Sequence, residues 1–143
     1  MQQLLAAGFL WLSTGISAQT YFLNGTATAS DGDCYQLTTT QGNQNGTVWY
    51  GEQIDLIEAF ELNFSMNFGT NDATGADGMV FALQPLNTSI GSSGGQMGLG
   101  GVSPSLGVYL DTYQNTAHGD IFNDHISINL DGDVIHSSSN NIA

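Results

Sequence analysis

The chain contains no lysine and no arginine, and its acidic residues leave it with a formal charge of -13. Phosphate backbones are bound mainly through those two cations, so nucleic acid is excluded as a natural partner, and an anionic membrane surface with it. Lysine Schiff-base chemistry, a P-loop lysine and an arginine finger are equally impossible. A ligand must then be neutral, or be held through a cation that the carboxylates collect. A salt-adapted acidic surface accounts for part of the charge without any ligand.

Cysteine is nearly absent too. Cys34 stands alone, so there is no disulfide framework; a small buried residue is the expectation, with pairing beyond this chain as the other reading. Long apolar runs are also lacking. The run LLAAGFLWL at residues 4–12 has nine residues, against about 20 needed to cross a bilayer, which argues against membrane insertion. With small and polar residues following to Ala18, residues 1–18 read as a secretory signal peptide without a basic n-region, and a buried N-terminal strand is the competing reading. Export to the extracellular space or the cell surface follows from the first.

What remains is a polar, glycine-rich chain of 143 residues with 41% hydrophobic content and 19 glycines. One domain with a modest core fits that length, and the mixture suits a turn-rich all-β protein. Residues 21–29 alternate loosely, DGDC marks a turn before YQLTTT, QGNQNG marks a second, and TVWYG reads as a short strand. The clearest alternation is at residues 60–68, where Phe60, Leu62, Phe64, Met66 and Phe68 share one face. That predicts a strand with one buried and one wet side. MVFAL, at residues 79–83, is continuously apolar and predicts a central strand covered on both sides. A Gly/Ser-rich loop occupies residues 87–104. No segment carries a helical period, and short, evenly spaced strands indicate a β-sandwich or barrel.

The chain is organised around residues 105–130, SLGVYLDTYQNTAHGDIFNDHISINL. Leu106, Val108 and Leu110 alternate with Gly107, Tyr109 and Asp111; Ile126, Ile128 and Leu130 alternate with His125, Ser127 and Asn129. Asp111 and His125 therefore lie opposite the aliphatic set and fall on one side if the strands pair. The loop between them is too long for a tight hairpin and carries Asn115 and Asp120, as a metal-organised binding loop would. The chain ends at HSSSNNIA, which does not look like a domain terminus, so the sandwich is expected to be incomplete at the C-terminus, with unpaired sheet edges.

GADGMVFAL, then GGQMGLG, then VYLDTYQN with GD and DH downstream, resembles the L-type (legume-type) lectin domain in its bacterial, extracellular version. The similarity covers residues 21–143, the N-terminal portion of such a domain. It implies a concanavalin A-like jelly-roll sandwich of antiparallel sheets that binds carbohydrate, namely glycans or glycoconjugates. It also implies a Ca2+ site made by the Asp111 and Asp120 carboxylates, the Asn115 side-chain oxygen and the Tyr113 backbone carbonyl, a donor set of hard oxygens that suits calcium. A second, transition-type (Mn2+-type) ion would use Asp111, Asp120, His125 and an acidic residue two before Asp111. Tyr109 stands there and is not a carboxylate, so that ion lacks a ligand and His125 has a structural hydrogen bond as its alternative role.

For the sugar, the resemblance implies hydrogen bonding to Asp77, whose peptide bond with Ala76 would be cis, a backbone N–H from Gly95, an outward amide from Asn115, and packing on the Tyr113 ring. Without Lys or Arg to capture acidic sugars, neutral hexoses are favoured. Two other functions compete. A glycosidase needs two carboxylates about 5–10 Å apart, yet on a strand Glu52 and Glu58 of GEQIDLIE would be roughly 20 Å apart with Asp55 on the opposite face. No nucleophile elbow occurs, and His118 and His136 sit in polar loops without evident partners, so no enzyme is expected; an ancillary domain of a carbohydrate-active enzyme remains open. An adhesion or spacer module would keep the fold and bind no sugar. Sequons begin at Asn24, Asn45, Asn63 and Asn87; because Asn63 falls inside a predicted strand, chance occurrence is the reading taken.

Overall fold

The computed structural model describes residues 19–71, 74–91 and 94–143; the signal peptide expected at residues 1–18 lies outside them. Short antiparallel strands dominate. They are β1 (Tyr21–Gly25), β2 (Thr28–Ala29), β3 (Tyr35–Gln36), β4 (Gly46–Tyr50), β5 (Gly78–Leu83), β6 (Leu106–Asp111) and β7 (His125–Leu130), with one 3-10 turn at Thr116–His118. β1 pairs with β4 and β2 with β3, while β5, β6 and β7 form a three-stranded sheet in that order.

The three-stranded sheet positions everything that follows. Gly78 faces Asp111 across the first ladder, and Asp111 faces His125 across the second. One cross-strand row at the end of the sheet therefore carries the Asp and the His, as their alternation required.

The two faces of this sheet are occupied in an unusual way. Gly107, Tyr109 and Asp111 of β6 are buried, as are Ser127 and Asn129 of β7. The aliphatic residues of the opposite face are only half-buried, and Ile126 is exposed. The polar face is sealed by the loop before β6, whose Leu99 is 1% exposed beside an equally buried Tyr109. Leu99 also sits where a Cβ on Gly107 would come within 2.8 Å of its Cδ2, so glycine at that position lets the loop close down. The Tyr109 hydroxyl and Asn129 Oδ1 are buried there without a hydrogen-bond partner.

Several expectations are corrected. Residues 60–68 form no strand and belong to no ladder among the described residues. Alternation reports which side chains share a face, whereas a strand also needs a neighbour's N–H and C=O groups. Three of the five residues expected on one face do act together: Phe64, Met66 and Phe68 line an open apolar cavity of about 460 Å³ with Phe81, Val108 and Leu110 of the sheet. Phe64 stacks on Phe81 with ring centroids 5.3 Å apart, while Phe60, Leu62, Phe64 and Phe68 remain exposed.

MVFAL lies in β5, which has β6 as its partner within the described residues and is half-buried along its length rather than covered on both sides. Residues 52–58 form bends and a turn, not a strand, with Glu52, Asp55 and Glu58 exposed. Cys34 is exposed, not buried. Asn63 is exposed outside any strand, which removes the reason for dismissing its sequon. The outer edge of β7 is partly paired: Ile128 N donates to the Ala143 carbonyl at 2.7 Å and Leu130 N to that of Asn140 at 2.9 Å.

Candidate metal and ligand site

The loop from Thr112 to Asp124 folds back on itself, and this return brings its polar groups together. His118 N donates to the Asn115 carbonyl at 2.8 Å, closing the 3-10 turn, and Gly119 follows in the left-handed region at φ 79°. Glycine enters that region without a Cβ penalty. The chain reverses there, and the Asp120 carboxylate accepts from the Asn115 backbone N–H at 2.6 Å. Asp111 accepts in the same manner from the Tyr113 backbone N–H at 2.9 Å.

Asp111 and Asp120 are 6% and 8% exposed. Burial pushes the Asp111 carboxyl above its usual pKa, and Asp120 adds to the rise by like-charge repulsion, while the Tyr113 N–H works in the opposite direction. Two neighbouring buried carboxylates are costly unless a cation compensates them, and the chain has no Lys or Arg to do so. The donor set is therefore one that fits a bound metal ion.

Two further loops meet this one. Asp77 immediately precedes β5, and its carbonyl accepts from Thr112 N at 3.0 Å, which holds it beside the end of β6. The Ala76–Asp77 peptide is cis. Asn115 Nδ2 donates to Asp77 Oδ1 at 3.1 Å, leaving the amide oxygen free to face a cation. Residues 94–102 turn repeatedly, with Met97 N bonded to the Gly94 carbonyl and Val102 N to that of Leu99. This loop brings Gly95 against the Asn115 amide, where a Cβ would lie 2.9 Å from Oδ1 and 3.1 Å from Nδ2. Asp77, Gly95 and Asn115 thus converge from three loops. Tyr113 is 49% exposed, which excludes a core role and leaves its ring face open to a ligand.

His125 and His136 also meet. Their Nε2 atoms are 3.0 Å apart, and His136 Nε2 is 3.3 Å from Asp120 Oδ1. The expectation that His136 lacks partners is therefore wrong. No local motif marked it, because it lies eleven residues beyond His125 in a polar turn. His118 stays apart as a side chain and contributes its carbonyl to His136 N at 2.9 Å. A metal-competent group of Asp120, His125 and His136 results.

The profile of the legume lectin beta-barrel domain matches residues 14–142, nearly the whole chain. The chain belongs to the legume-type lectin domain family. Lectin domains of this family typically hold metal and are generally not enzymes, which agrees with an antiparallel all-β architecture built around an acidic loop. Among characterised proteins, this lectin domain is 34% identical over 85 residues to the "Serine-rich adhesin for platelets" of Staphylococcus aureus strains MRSA252 and MSSA476, matched over 57% of the present chain. It spans only 6% and 4% of the length of those two relatives. Within the described residues no helix is long and apolar enough to cross a membrane.

Proposed function

We propose that this lectin domain is an extracellular, calcium-dependent module for a neutral saccharide, held by Asp77, Gly95, Tyr113 and Asn115 beside a Ca2+ site made by Asp111, the Tyr113 carbonyl, Asn115 and Asp120. The observation that carries the reading is the position of Asn115. Its amide donates to Asp77, packs on Gly95 and belongs to the residue whose backbone N–H holds Asp120. A cation seated between Asp111 and Asp120 would take the amide oxygen and leave the second amide N–H facing outward, where a sugar hydroxyl accepts it. Asp77 accepts from other hydroxyls, and the Tyr113 ring supplies an apolar floor for the pyranose. With no Lys or Arg nearby, an uncharged sugar matches the site better than a sialylated or sulfated one.

The match to a platelet adhesin favours a second reading, an adhesion module on a cell surface. The two readings differ in whether a glycan is the thing gripped. A glycan array probed in calcium and again after chelation tests them. Binding to neutral glycans that disappears on chelation supports the lectin reading, and an empty array with calcium bound supports adhesion without sugar.

A further inference from the structure

We propose that Tyr35, Tyr21 and Tyr50, in that order and with Asp33 and Glu52 at the two ends, form a docking row for an arginine-bearing segment of a partner protein. The sheet register puts the rings together. Tyr21 of β1 pairs directly with Tyr50 of β4, so the two share a face. The next pair, Phe22 and Trp49, lies on the opposite face. That face is turned toward the loop after β5, where Trp49 Nε1 donates to the Ile90 carbonyl at 3.0 Å and Asn24 Nδ2 to that of Thr88 at 2.8 Å. The tyrosines therefore look away from that loop. Tyr35 joins them from β3: its ring lies 5.2 Å from that of Tyr21, and the Tyr21 and Tyr50 rings are 5.6 Å apart. Tyr21 is 37% exposed, and the other two are half-buried.

The row is electronegative along its length. An aromatic face attracts a cation through its quadrupole, and a carboxylate closes each end. Glu52 Oε2 accepts from the Tyr50 hydroxyl at 3.3 Å. Asp33 stands two residues before Tyr35, in the bend that leads into β3. Burial pushes the Tyr35 phenol up, with Tyr21 and Asp33 adding to the rise; burial also pushes the Tyr50 phenol up, with Glu52 adding. The chain has no lysine or arginine to neutralise this surface, so the complementary cation must come from another molecule.

The geometry selects among cations. Neighbouring rings touch one another at tilts of 50° and 47°, which leaves no room between them for an ammonium group to be boxed in. A cation must lie over an outer ring face. There a planar guanidinium stacks and still reaches a carboxylate with its N–H fork, whereas a lysine ammonium is a strongly hydrated point charge. The outer two rings stand at most about 11 Å apart. In an extended peptide, residues i and i+2 share a face roughly 7 Å apart, and two long arginine side chains can splay from there to both ends of the row. None of these residues belongs to the saccharide reading, and the proposal stands without it.

The test uses the whole chain in saturating calcium and a blocked pentapeptide with arginine at its second and fourth positions. Tyrosine ring signals are followed by NMR as this peptide, and then its lysine counterpart, is titrated in. The signals of Tyr21, Tyr35 and Tyr50 should shift together while that of Tyr113 stays, and the lysine peptide should bind at least about twofold more weakly. Tyr21→Leu and Glu52→Gln should each weaken binding of the arginine peptide by about twofold to fivefold, the scale of an exposed cation–π contact or ion pair. Glu58→Gln removes the same charge from another exposed carboxylate and should change nothing. Three unmoved signals, equal binding of the lysine peptide, or equal losses in Glu58→Gln and Glu52→Gln overturn the proposal. A neutral monosaccharide that moves these signals when the peptide does not also overturns it. The wild-type titration needs no variant, so a misfolded one cannot obscure the result. No saccharide enters the peptide titration, so failure here and failure of the lectin reading are distinguishable.

Discussion

Gly95→Ala isolates the ligand site from the fold. The added Cβ would lie 2.9 Å from Asn115 Oδ1 and 3.1 Å from both Cγ and Nδ2, whereas ordinary contact begins at 3.4 Å. The Asn115 amide must therefore withdraw by about half an ångström, and its 3.1 Å bond to Asp77 is the contact that opens. A hydrogen bond to a charged group is worth about 1.5–3 kcal/mol, so saccharide affinity should fall by about tenfold to a hundredfold. The Asn115 and Asp77 side chains are only half-buried, so water can replace the opened bond and stability should fall by about 1 kcal/mol at most. Gly95 is not among the glycines in the left-handed region, and replacing such a glycine with alanine removes freedom from the unfolded chain worth about 0.4–1 kcal/mol, which offsets the crowding. Calorimetric titration with the best array ligand, paired with thermal unfolding, reads both effects. Gly78→Ala is the contrast. Gly78 has φ 142°, and a Cβ there would overlap the Leu110 carbonyl within the ladder and approach Met97 Sδ to 2.8 Å, so this change should cost at least about 2–3 kcal/mol of stability. Full sugar affinity in Gly95→Ala would refute the placement of the pocket, as would a loss of stability equal to that of Gly78→Ala.

Asp77→Ala should abolish sugar binding and leave calcium largely in place, whereas Asn115→Ala should weaken both; equal calcium loss in the two variants, read by calorimetry, counts against the assigned roles. Tyr109→Phe removes a buried hydroxyl that has no partner, so denaturant unfolding should show the variant as stable as the parent or more stable by about 1 kcal/mol; a clear loss would mean the hydroxyl is engaged. Burial pushes the Tyr109 phenol up to about 12. A raised folded-state value stabilises fully below the ordinary tyrosine pKa near 10 and is lost as pH rises through the folded one, so the parent should lose stability between about pH 10 and 12 relative to Tyr109→Phe. Asp111 is raised by burial and by Asp120, so its contribution in metal-free protein is present at acid pH and lost as pH climbs through the raised value. Added calcium should reverse that slope, and parallel pH–stability curves with and without calcium would contradict the shared-ion account.

Much of this was legible in the sequence because strand alternation acts locally. The period-two pattern in residues 105–130 set β6, β7 and the common side of Asp111 and His125, and the ladder that aligns those two residues follows from it. The same pattern at residues 60–68 put Phe64, Met66 and Phe68 on the face that lines the apolar cavity and said nothing about a hydrogen-bonding neighbour, since pairing is a property of two segments. MVFAL carried no information on its rank in the sheet for that reason. His136 was invisible because a loop residue meets a strand residue only through the turn after β7. Cys34 was misread because burial preference is a tendency of the residue type, and Cys34 follows an exposed DGD turn.

The central claim is that a bound calcium ion makes the saccharide pocket. Titrating one neutral array ligand into the same preparation, first metal-free and then reloaded with calcium, tests it most directly. Heat of binding seen only after reloading, at one site per chain, is the predicted result; equal affinity in both states would contradict it.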